Sequence, residues 1–386
     1  MSNLANVFTA LPDAWQHRLS AWLCRTGGIS LLPLFRMFLR TFEFTGARRS
    51  DALLALRTGQ GGWLRAAADA ARDADDLLAQ QQTQQAAAAY HRASIYALSS
   101  CWGVPGMQTH ANAYRAALGY FAHYAALTEP RAQRIRIACA HGDIPAIWRM
   151  PDGACRGAVV LFPGSDQTKE WMQPFELLAL RRNLATVSVD LPGFAENARS
   201  GSRFCSLDSL AEPCRSIASE VERRLGAGTP IASFGVSLGG LFALSASAFE
   251  PRIVASIGVG SPLTVGTTRR VAAVQRDAAL RWSGARSFAE LTRQFSFERV
   301  TERLRQVGAH ALIVHGSRDE VVAPNDAQLF AAHIGDRAKV VLLPGDDHMC
   351  TRALARGAGE RWFDWLSRTL DEALTAQAPA TSARAC

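Results

Sequence analysis

The spacing of hydrophobic and polar residues along the chain changes near residue 130. Before that point Ala, Leu, Gln and Arg dominate, β-branched residues are few, and apolar residues recur at helical spacing. The spacing predicts one or two helices within 63–100, including the Gln-rich block at 80–85, and another at about 110–127. Pro130 ends the last helix, because proline disfavours helical backbone at the preceding residue. We therefore predict a helical N-terminal domain over residues 1–130.

From residue 134 the apolar residues first alternate with polar ones and then form short, continuous runs. Residues 134–138 and 144–148 have the alternation of a β-hairpin. The apolar runs that follow alternate with helix-patterned segments, which predicts a mostly parallel sheet with helices on both faces. The predicted strands lie at 158–162, 185–189, 231–234, 253–259, 311–314 and 339–343, and the predicted helices at 170–182, 209–225, 238–249, 325–334 and 353–370.

This alternation assigns residues 131–375 to the α/β class, with ligand sites at the carboxyl ends of the strands. The segment at about 262–308 breaks the rhythm with more helix-like sequence, and we interpret it as an insertion near the mouth of the site. The last residues, 376–386, are predicted to be a disordered tail.

Composition narrows the class of protein. The chain has 386 residues, of which 48% are hydrophobic and 20% charged, which excludes disordered and fibrous classes. The longest apolar run, 29–38, is too short for a membrane span and contains Pro33 and Arg36. The first thirty residues lack the charged start and apolar block of a signal peptide. We therefore expect a cytoplasmic protein with no membrane partner.

The net charge of +8 does not indicate a nucleic-acid partner. Lysine occurs only at Lys169 and Lys339, and the arginines are scattered or in isolated pairs, whereas nucleic-acid binding needs a basic face or groove. The eight cysteines form no close pairs, so a zinc knuckle and a C-x-x-C redox motif are excluded. Without a ligand cluster or a dinucleotide fingerprint, we expect no metal or organic cofactor.

The strongest chemical signal is a G-x-S-x-G motif at 235–239, between a predicted strand and a predicted helix. A turn this tight from strand to helix leaves no room for a side chain two residues before or after the serine, so glycine is needed at both places. The turn holds Ser237 above the carboxyl edge of the sheet. Ser237 is therefore the predicted nucleophile.

A serine hydroxyl needs a positioned base, and the base needs a carboxylate that orients it. Asp319 follows the strand at 311–314, and His348 lies in the loop after the last predicted strand, so both converge with Ser237 on one edge. Glu320 is a competing acid, which we assign to a cap or to solvent. His315 begins a turn after a buried strand and is interpreted as structural.

Acyl transfer also requires backbone N–H donors for the developing oxyanion. Leu238, directly after the nucleophile, is one predicted donor. The second is expected in the loop after the strand at 158–162, where Gly164 permits a close turn and Ser165 or Asp166 supplies the N–H. Asp190, after the next strand, is interpreted as bonding local backbone in a structural turn.

Over roughly 134–370 the chain resembles the α/β-hydrolase superfamily, through the elbow at 235–239, the segment at 315–322 and His348. The loop at 164–170 and the helical domain before the sheet resemble the group of 2,6-dihydroxypseudooxynicotine hydrolase, fungal heptaketide pigment hydrolases and fermentation/respiration switch proteins. The resemblance implies cleavage of a C–C bond next to a ketone, or of an ester, under a helical lid. For the C–C hydrolase of this group, the resemblance implies an additional acidic residue after the strand that follows the nucleophile. Residues 261–268 contain no acidic residue.

Two features leave alternatives open. The first is the type of bond cleaved. The missing acid weakens the assignment to C–C cleavage, but acidic residues lie further along the chain, at Glu290, Glu298 and Glu302, so both C–C and ester cleavage stay open. A group of aromatic and imidazole side chains in the helical domain is either helix packing or a polar-aromatic ceiling for a planar, oxygen-rich substrate such as an aromatic polyketide. Its members are Tyr90, His91, Tyr96, Trp102, His110, Tyr114, Tyr120, His123 and Tyr124.

The sequence thus predicts a serine hydrolase with the triad Ser237, Asp319 and His348, acting on a small molecule. The same motifs suit an acyltransferase or cyclase that passes the acyl group to an alcohol or amine. A non-catalytic regulatory protein on the same scaffold is the alternative from another class, and an intact triad argues against it. A homodimer is compatible with the sequence.

Overall fold

The computed structural model describes residues 40–377 except 42, 59, 102–106, 129–130, 141, 166, 200–202 and 266–278. The described part begins with helices, which are α1 (Arg49–Thr58), α2 (Gln60–Ala79), α3 (Thr83–Ser100) and α4 (Met107–Leu127). Helix α3 packs against both α2 and α4. The turn between α2 and α3 falls inside the Gln-rich block, where Gln81 has φ 60°. The block therefore belongs to two helices and their turn.

An eight-stranded sheet follows, with the strand order β1-β2-β4-β3-β5-β6-β7-β8. The pairs β1–β2 and β2–β4 are antiparallel, and all the other pairs are parallel. The predicted hairpin and mostly parallel sheet are confirmed. The strands are β1 (Gln133–Ile137), β2 (Ile144–Arg149), β3 (Gly157–Phe162), β4 (Leu184–Val189), β5 (Ile231–Val236), β6 (Ile253–Val259), β7 (His310–Gly316) and β8 (Ala338–Leu343).

The central strands of the sheet are buried on both faces, which explains their continuous apolar sequence. In β3, Val159 and Leu161 join one core cluster, while Val160 and Phe162 join the other. Both faces of such a strand need apolar side chains, so the period-two alternation disappears. The helices of this part are α5 (Gln173–Leu180), α6 (Ala211–Leu225), α7 (Leu238–Ser245), α8 (Phe288–Gln294), α9 (Phe297–Leu304), α10 (Asn325–Ile334), α11 (Thr351–Ala355) and α12 (Ala358–Gln377).

The helices before the sheet pack on its antiparallel edge. Phe121 and Tyr124 of α4 share an apolar cluster with Ile147 of β2. The Arg149 guanidinium at the end of β2 donates to the Tyr124 hydroxyl at 2.9 Å and lies 3.5 Å from the Glu176 carboxylate of α5. The side chains of Arg149 and Glu176 are fully buried, so this ion pair is enclosed by α4, β2 and α5.

Some predicted ranges fall partly outside the described residues. The predicted insertion at 262–308 includes 266–278, which the structure does not describe, and its later part forms α8 and α9. The described helix α12 extends to Gln377, so the first two residues of the predicted tail are helical, and 378–386 lie outside the description. No helix within the described ranges is long and apolar enough to cross a membrane.

Candidate active site

Ser237 occupies the turn between β5 and α7, with φ 53° and ψ −127°. Positive φ is uncommon for a residue with a side chain and is held only where the surroundings impose it. Here the Ser237 N–H donates to the Val259 carbonyl at 2.8 Å, and the Ser237 carbonyl accepts from the Gly240 N–H at 2.8 Å. The strand on one side and the helix on the other thus fix the strained turn.

The two glycines of the motif are required by close backbone contacts. A Cβ on Gly235 would lie 2.0 Å from the Gly239 carbonyl oxygen, and a Cβ on Gly239 would lie 2.2 Å from the Phe162 carbonyl oxygen. Both distances are far shorter than a van der Waals contact, and the atoms met are backbone. The predicted reason for the glycine spacing therefore holds, with the end of β3 as the neighbour of Gly239.

The structure brings Ser237, His348 and Asp319 into one hydrogen-bonded chain. The Ser237 hydroxyl lies 2.9 Å from His348 Nε2, and His348 Nδ1 lies 2.8 Å from Asp319 Oδ2. Asp319 and His348 are buried, while Ser237 is half-buried at the edge of the sheet. The imidazole pairs with Asp319 rather than with the competing Glu320.

Asp319 receives hydrogen bonds on both carboxylate oxygens. Its Oδ1 accepts from the backbone N–H groups of Val321 and Val322, each at 2.8 Å. Its Oδ2 faces His348 and also His315, whose Nε2 is 3.0 Å away. Burial alone would raise the pKa of the Asp319 carboxyl, but the two imidazoles lower it well below its usual range.

The pKa of His348 moves in the opposite direction. Burial alone would lower it, but the charge and hydrogen bond of Asp319 raise it above its usual value, and Asp347 adds to the effect. The turn before His348 is held by Asp346, which accepts from the backbone N–H of Ala353 at 2.8 Å and of Arg352 at 3.1 Å. The Asp347 carboxylate accepts from the Thr351 N–H at 2.9 Å, so the two aspartates shape the loop that carries the histidine.

The two predicted oxyanion donors lie on either side of Ser237. Leu238 is the first residue of α7, and a Cβ on Gly164 would lie 3.4 Å from the Ser237 Cβ. The Gly164 N–H already donates to the Gln167 side chain at 3.1 Å, and the Gln167 N–H returns to the Gly164 carbonyl at 3.1 Å. The Ser165 N–H stays a candidate for the second donor, and the alternative, Asp166, lies outside the described residues.

A buried ionic cluster, which the sequence analysis missed, lies at the carboxyl ends of β3 and β4. Lys169 Nζ is 2.8 Å from Glu170, 2.9 Å from Asp190 and 2.7 Å from Glu196, and its side chain is 1% exposed. Asp190 also accepts the Lys169 backbone N–H at 2.9 Å. It therefore bonds backbone as predicted, but this N–H lies 21 residues away in another loop rather than in its own turn. Burial alone would lower the pKa of Lys169, but the surrounding carboxylates raise it well above its usual value. One signal was in the sequence, since Lys169 is one of only two lysines in an arginine-rich chain.

Of the five tyrosine hydroxyls in helices α3 and α4, three have protein partners. Tyr90 donates to Asp75, Tyr96 donates to Asp51 at 2.8 Å, and Tyr124 accepts from Arg149. The Tyr114 hydroxyl is buried and finds no partner within the described ranges. These contacts favour the packing interpretation for three members of the group, and Trp102 lies outside the described residues.

We call helices α1 to α4 the helical region. A cavity of about 720 Å³ lies between helices α3 and α4 of this region and the helices α5 and α12. Its described lining includes His91 and Tyr124, but neither Ser237 nor His348. Two of the predicted ceiling residues therefore face this cavity rather than the nucleophile.

None of the later acidic residues is in contact with the triad. Glu290 accepts from the Arg286 N–H at 3.0 Å, while Glu298 and Glu302 lie on α9. Over the part of the chain that the structure describes, no group of three or more His, Cys, Asp or Glu side chains could hold a metal ion.

Comparison with known proteins agrees with this architecture. No protein-family model matches the chain. The curated 2,6-dihydropseudooxynicotine hydrolase of Paenarthrobacter nicotinovorans is 27% identical over 258 residues, which span 63% of this chain and 66% of that protein. The crystal structure of 2,6-dihydroxy-pseudo-oxynicotine hydrolase matches with TM-score 0.74 and 22% identity, covering 86% of this chain and 95% of that one. AbyA5 matches with TM-score 0.65 and 19% identity, covering 82% and 89%. With this sheet order and these structural neighbours, the chain has the α/β-hydrolase fold and resembles 2,6-dihydroxypseudooxynicotine hydrolase.

Proposed function

We propose that the protein is a serine hydrolase that cleaves an acyl–carbon bond next to a ketone, or an ester, in a small molecule. The observation that carries the proposal is the chain of contacts from the Ser237 hydroxyl through His348 to Asp319, at 2.9 and 2.8 Å. These distances and this order are those of a nucleophile, a general base and its orienting carboxylate. The curated relative, which is named as a hydrolase, supports the same reaction class.

The reaction begins when Ser237 Oγ attacks the substrate carbonyl carbon and its proton passes to His348 Nε2. The carbonyl oxygen becomes an oxyanion, which accepts from the N–H groups of Leu238 and Ser165. Asp319 stabilises the imidazolium that forms and remains a carboxylate itself. Its low pKa, which the two imidazoles cause, keeps it ionised throughout.

The tetrahedral intermediate then collapses and the bond to the leaving group breaks. His348 gives its proton to the enolate that a β-diketone releases, or to the alkoxide that an ester releases. His348 next removes a proton from water, which attacks the acyl-enzyme, and the Ser237 hydroxyl is regenerated. The protein's own groups carry each step, so no metal or organic cofactor is part of the proposal.

We further propose an aromatic or polyketide-like substrate. The support is the curated relative, which is named for a pseudooxynicotine. An ester needs only the triad and the oxyanion donors. A C–C substrate releases an enolate, and the later residues Glu290, Glu298 and Glu302 supply no acid next to the triad.

The test combines a nucleophile variant with product analysis. Ser237→Ala is expected to abolish turnover and labelling by a fluorophosphonate while leaving the melting temperature unchanged, because the nucleophile is lost and the fold is not. Ser165→Ala is the matched control, since it keeps the backbone N–H and is expected to retain activity. Near wild-type turnover in Ser237→Ala would overturn the proposal.

The substrates for this test are an aryl β-diketone and an aryl ester with the same acyl group, and the products are analysed by mass spectrometry. Cleavage of the diketone assigns the C–C reaction, and cleavage of the ester alone assigns an esterase. Transfer of the acyl group to an added alcohol or amine, with little free acid, would identify an acyltransferase instead.

A further inference from the structure

A second histidine contacts the acid of the triad and has no role in the reaction as described above. His315 lies near the end of β7, and its Nε2 is 3.0 Å from Asp319 Oδ2, the same oxygen that faces His348. The Nε2 atom is also 3.5 Å from the Val322 carbonyl oxygen. The side chains of His315 and Asp319 are fully buried.

These contacts determine which nitrogen of His315 carries the proton. Nε2 faces a carboxylate oxygen and a carbonyl oxygen, and both of these only accept hydrogen bonds. An unprotonated Nε2 would put three lone pairs against one another, so the neutral ring carries its proton on Nε2. Nδ1 is buried, has no partner among the described residues, and is left unprotonated.

We propose that His315 is a positioning residue of the triad, whose Nε2–H holds Asp319 Oδ2 and shares that oxygen with His348. The inference rests on the proposed function. The Asp319 carboxylate then accepts from four donors. Two backbone N–H groups donate to Oδ1, and the imidazoles of His315 and His348 donate to Oδ2. The carboxylate is fixed from four directions and cannot turn away when His348 becomes charged.

Sharing Oδ2 also limits how strongly Asp319 stabilises the His348 imidazolium. Without the His315 donor, Oδ2 would serve His348 alone, so the pKa of His348 would rise further. The other titratable groups around Asp319 and His348 are Glu320, Asp346, Asp347 and Cys350. Asp347 bonds Thr351 and Arg40, and burial raises the pKa of the Cys350 thiol, which stays neutral.

The test compares His315→Leu with His315→Gln. Leucine removes the donor, whereas the glutamine amide keeps an N–H at a similar reach. In His315→Leu we expect the acid limb of the kcat/KM profile to move up by about half to one pH unit and kcat to fall about tenfold. His315→Gln is expected to keep the wild-type limb. A loss of packing alone would lower the melting temperature without moving this limb.

Equal acid limbs in wild type and in folded His315→Leu would overturn the proposal. If the leucine variant does not fold, ¹⁵N-histidine NMR of the wild-type protein decides the question at pH values where the protein is active. His315 is expected as the Nε2–H tautomer, and a proton on Nδ1 with Nε2 bare would overturn the proposal. The NMR result does not depend on Ser237, and fluorophosphonate labelling of the wild type tests the proposed function separately.

Discussion

At the scale of single residues, the opposite pKa shifts of His348 and Asp319 link activity to stability. The pKa of His348 is raised above its usual value of about 6.5, mainly by Asp319 acting against burial. Its contribution to stability is therefore fully present below the unfolded pKa and is lost as pH rises through the folded pKa. The pKa of Asp319 is lowered, so its contribution is present above its unfolded pKa and is lost only in strong acid.

This linkage predicts that activity and stability change in opposite directions as the pH rises above about 6.5. His348 must be neutral to accept the proton of Ser237, so kcat/KM is expected to rise through the raised pKa of His348 while its contribution to stability is lost. The measurement is kcat/KM, melting temperature and the NMR titration of His348 between about pH 5 and pH 9.

The control for this prediction is Asp319→Asn, which keeps the shape of the side chain and removes its charge. The pKa of His348 is expected to fall in this variant, and kcat to drop by about 10⁴. A His348 titration that is the same in wild type and in Asp319→Asn would contradict the assignment of Asp319 as the cause of the shift.

At the scale of elements, ion pairs connect the segment between β3 and α5 to other parts of the chain. Lys169, at its end, binds Asp190 after β4 and Glu196 in the short helix Ala195–Arg199. Glu196 in turn binds Arg134 and Arg136 of β1. The loop that carries the proposed oxyanion donor Ser165 is thus tied to three other elements.

Removing the Lys169 ammonium should therefore affect both stability and the loop. Lys169→Met is expected to lower the free energy of unfolding by about 3–5 kcal/mol, because buried carboxylates would lose their counter-charge. The double variant Lys169→Met/Asp190→Asn should recover part of the loss, since the amide oxygen can still accept the backbone N–H at residue 169. The measurement is urea unfolding of each variant.

The chain offers a matched control for this prediction in its other lysine. Lys339 is exposed on β8, and Lys339→Met is expected to change the free energy of unfolding by less than about 0.5 kcal/mol. If Lys169→Met were as mild as Lys339→Met, the ionic cluster would not anchor the loop.

These elements also show how far the sequence could predict the molecule. The strands and the positions of Ser237, Asp319 and His348 followed from local patterns, since each residue lies in the turn or loop that follows an apolar run. The Lys169 cluster joins side chains from distant parts of the chain, and no local pattern encodes such a contact. The helix predicted at 170–182 was wrong at its start, because Lys169–Met172 is a 3₁₀ turn and α5 begins at Gln173, with Pro174 in its first turn.

At the scale of the whole molecule, the helical region and the sheet share one buried polar junction. Arg149 of β2 reaches Tyr124 of α4 and Glu176 of α5, and Gln173 also donates to the Tyr124 hydroxyl at 3.3 Å. Glu176 accepts from Ser188 of β4 on its other oxygen. The junction therefore links the helices that precede the sheet to its antiparallel edge, so the two parts should unfold together.

Tyr124→Phe tests this coupling, because it removes the hydroxyl and keeps the ring. The variant removes the 2.9 Å hydrogen bond from the buried Arg149 guanidinium to the Tyr124 hydroxyl, and the free energy of unfolding is expected to fall by about 1–3 kcal/mol. Hydrogen exchange should accelerate in both α4 and β2. Tyr90→Phe is the control, since the Tyr90 hydroxyl bonds Asp75 of α2, within the helical region itself. Faster exchange in α4 alone, with β2 as protected as in Tyr90→Phe, would mean that the helical region opens independently and that Arg149 does not couple it to the sheet.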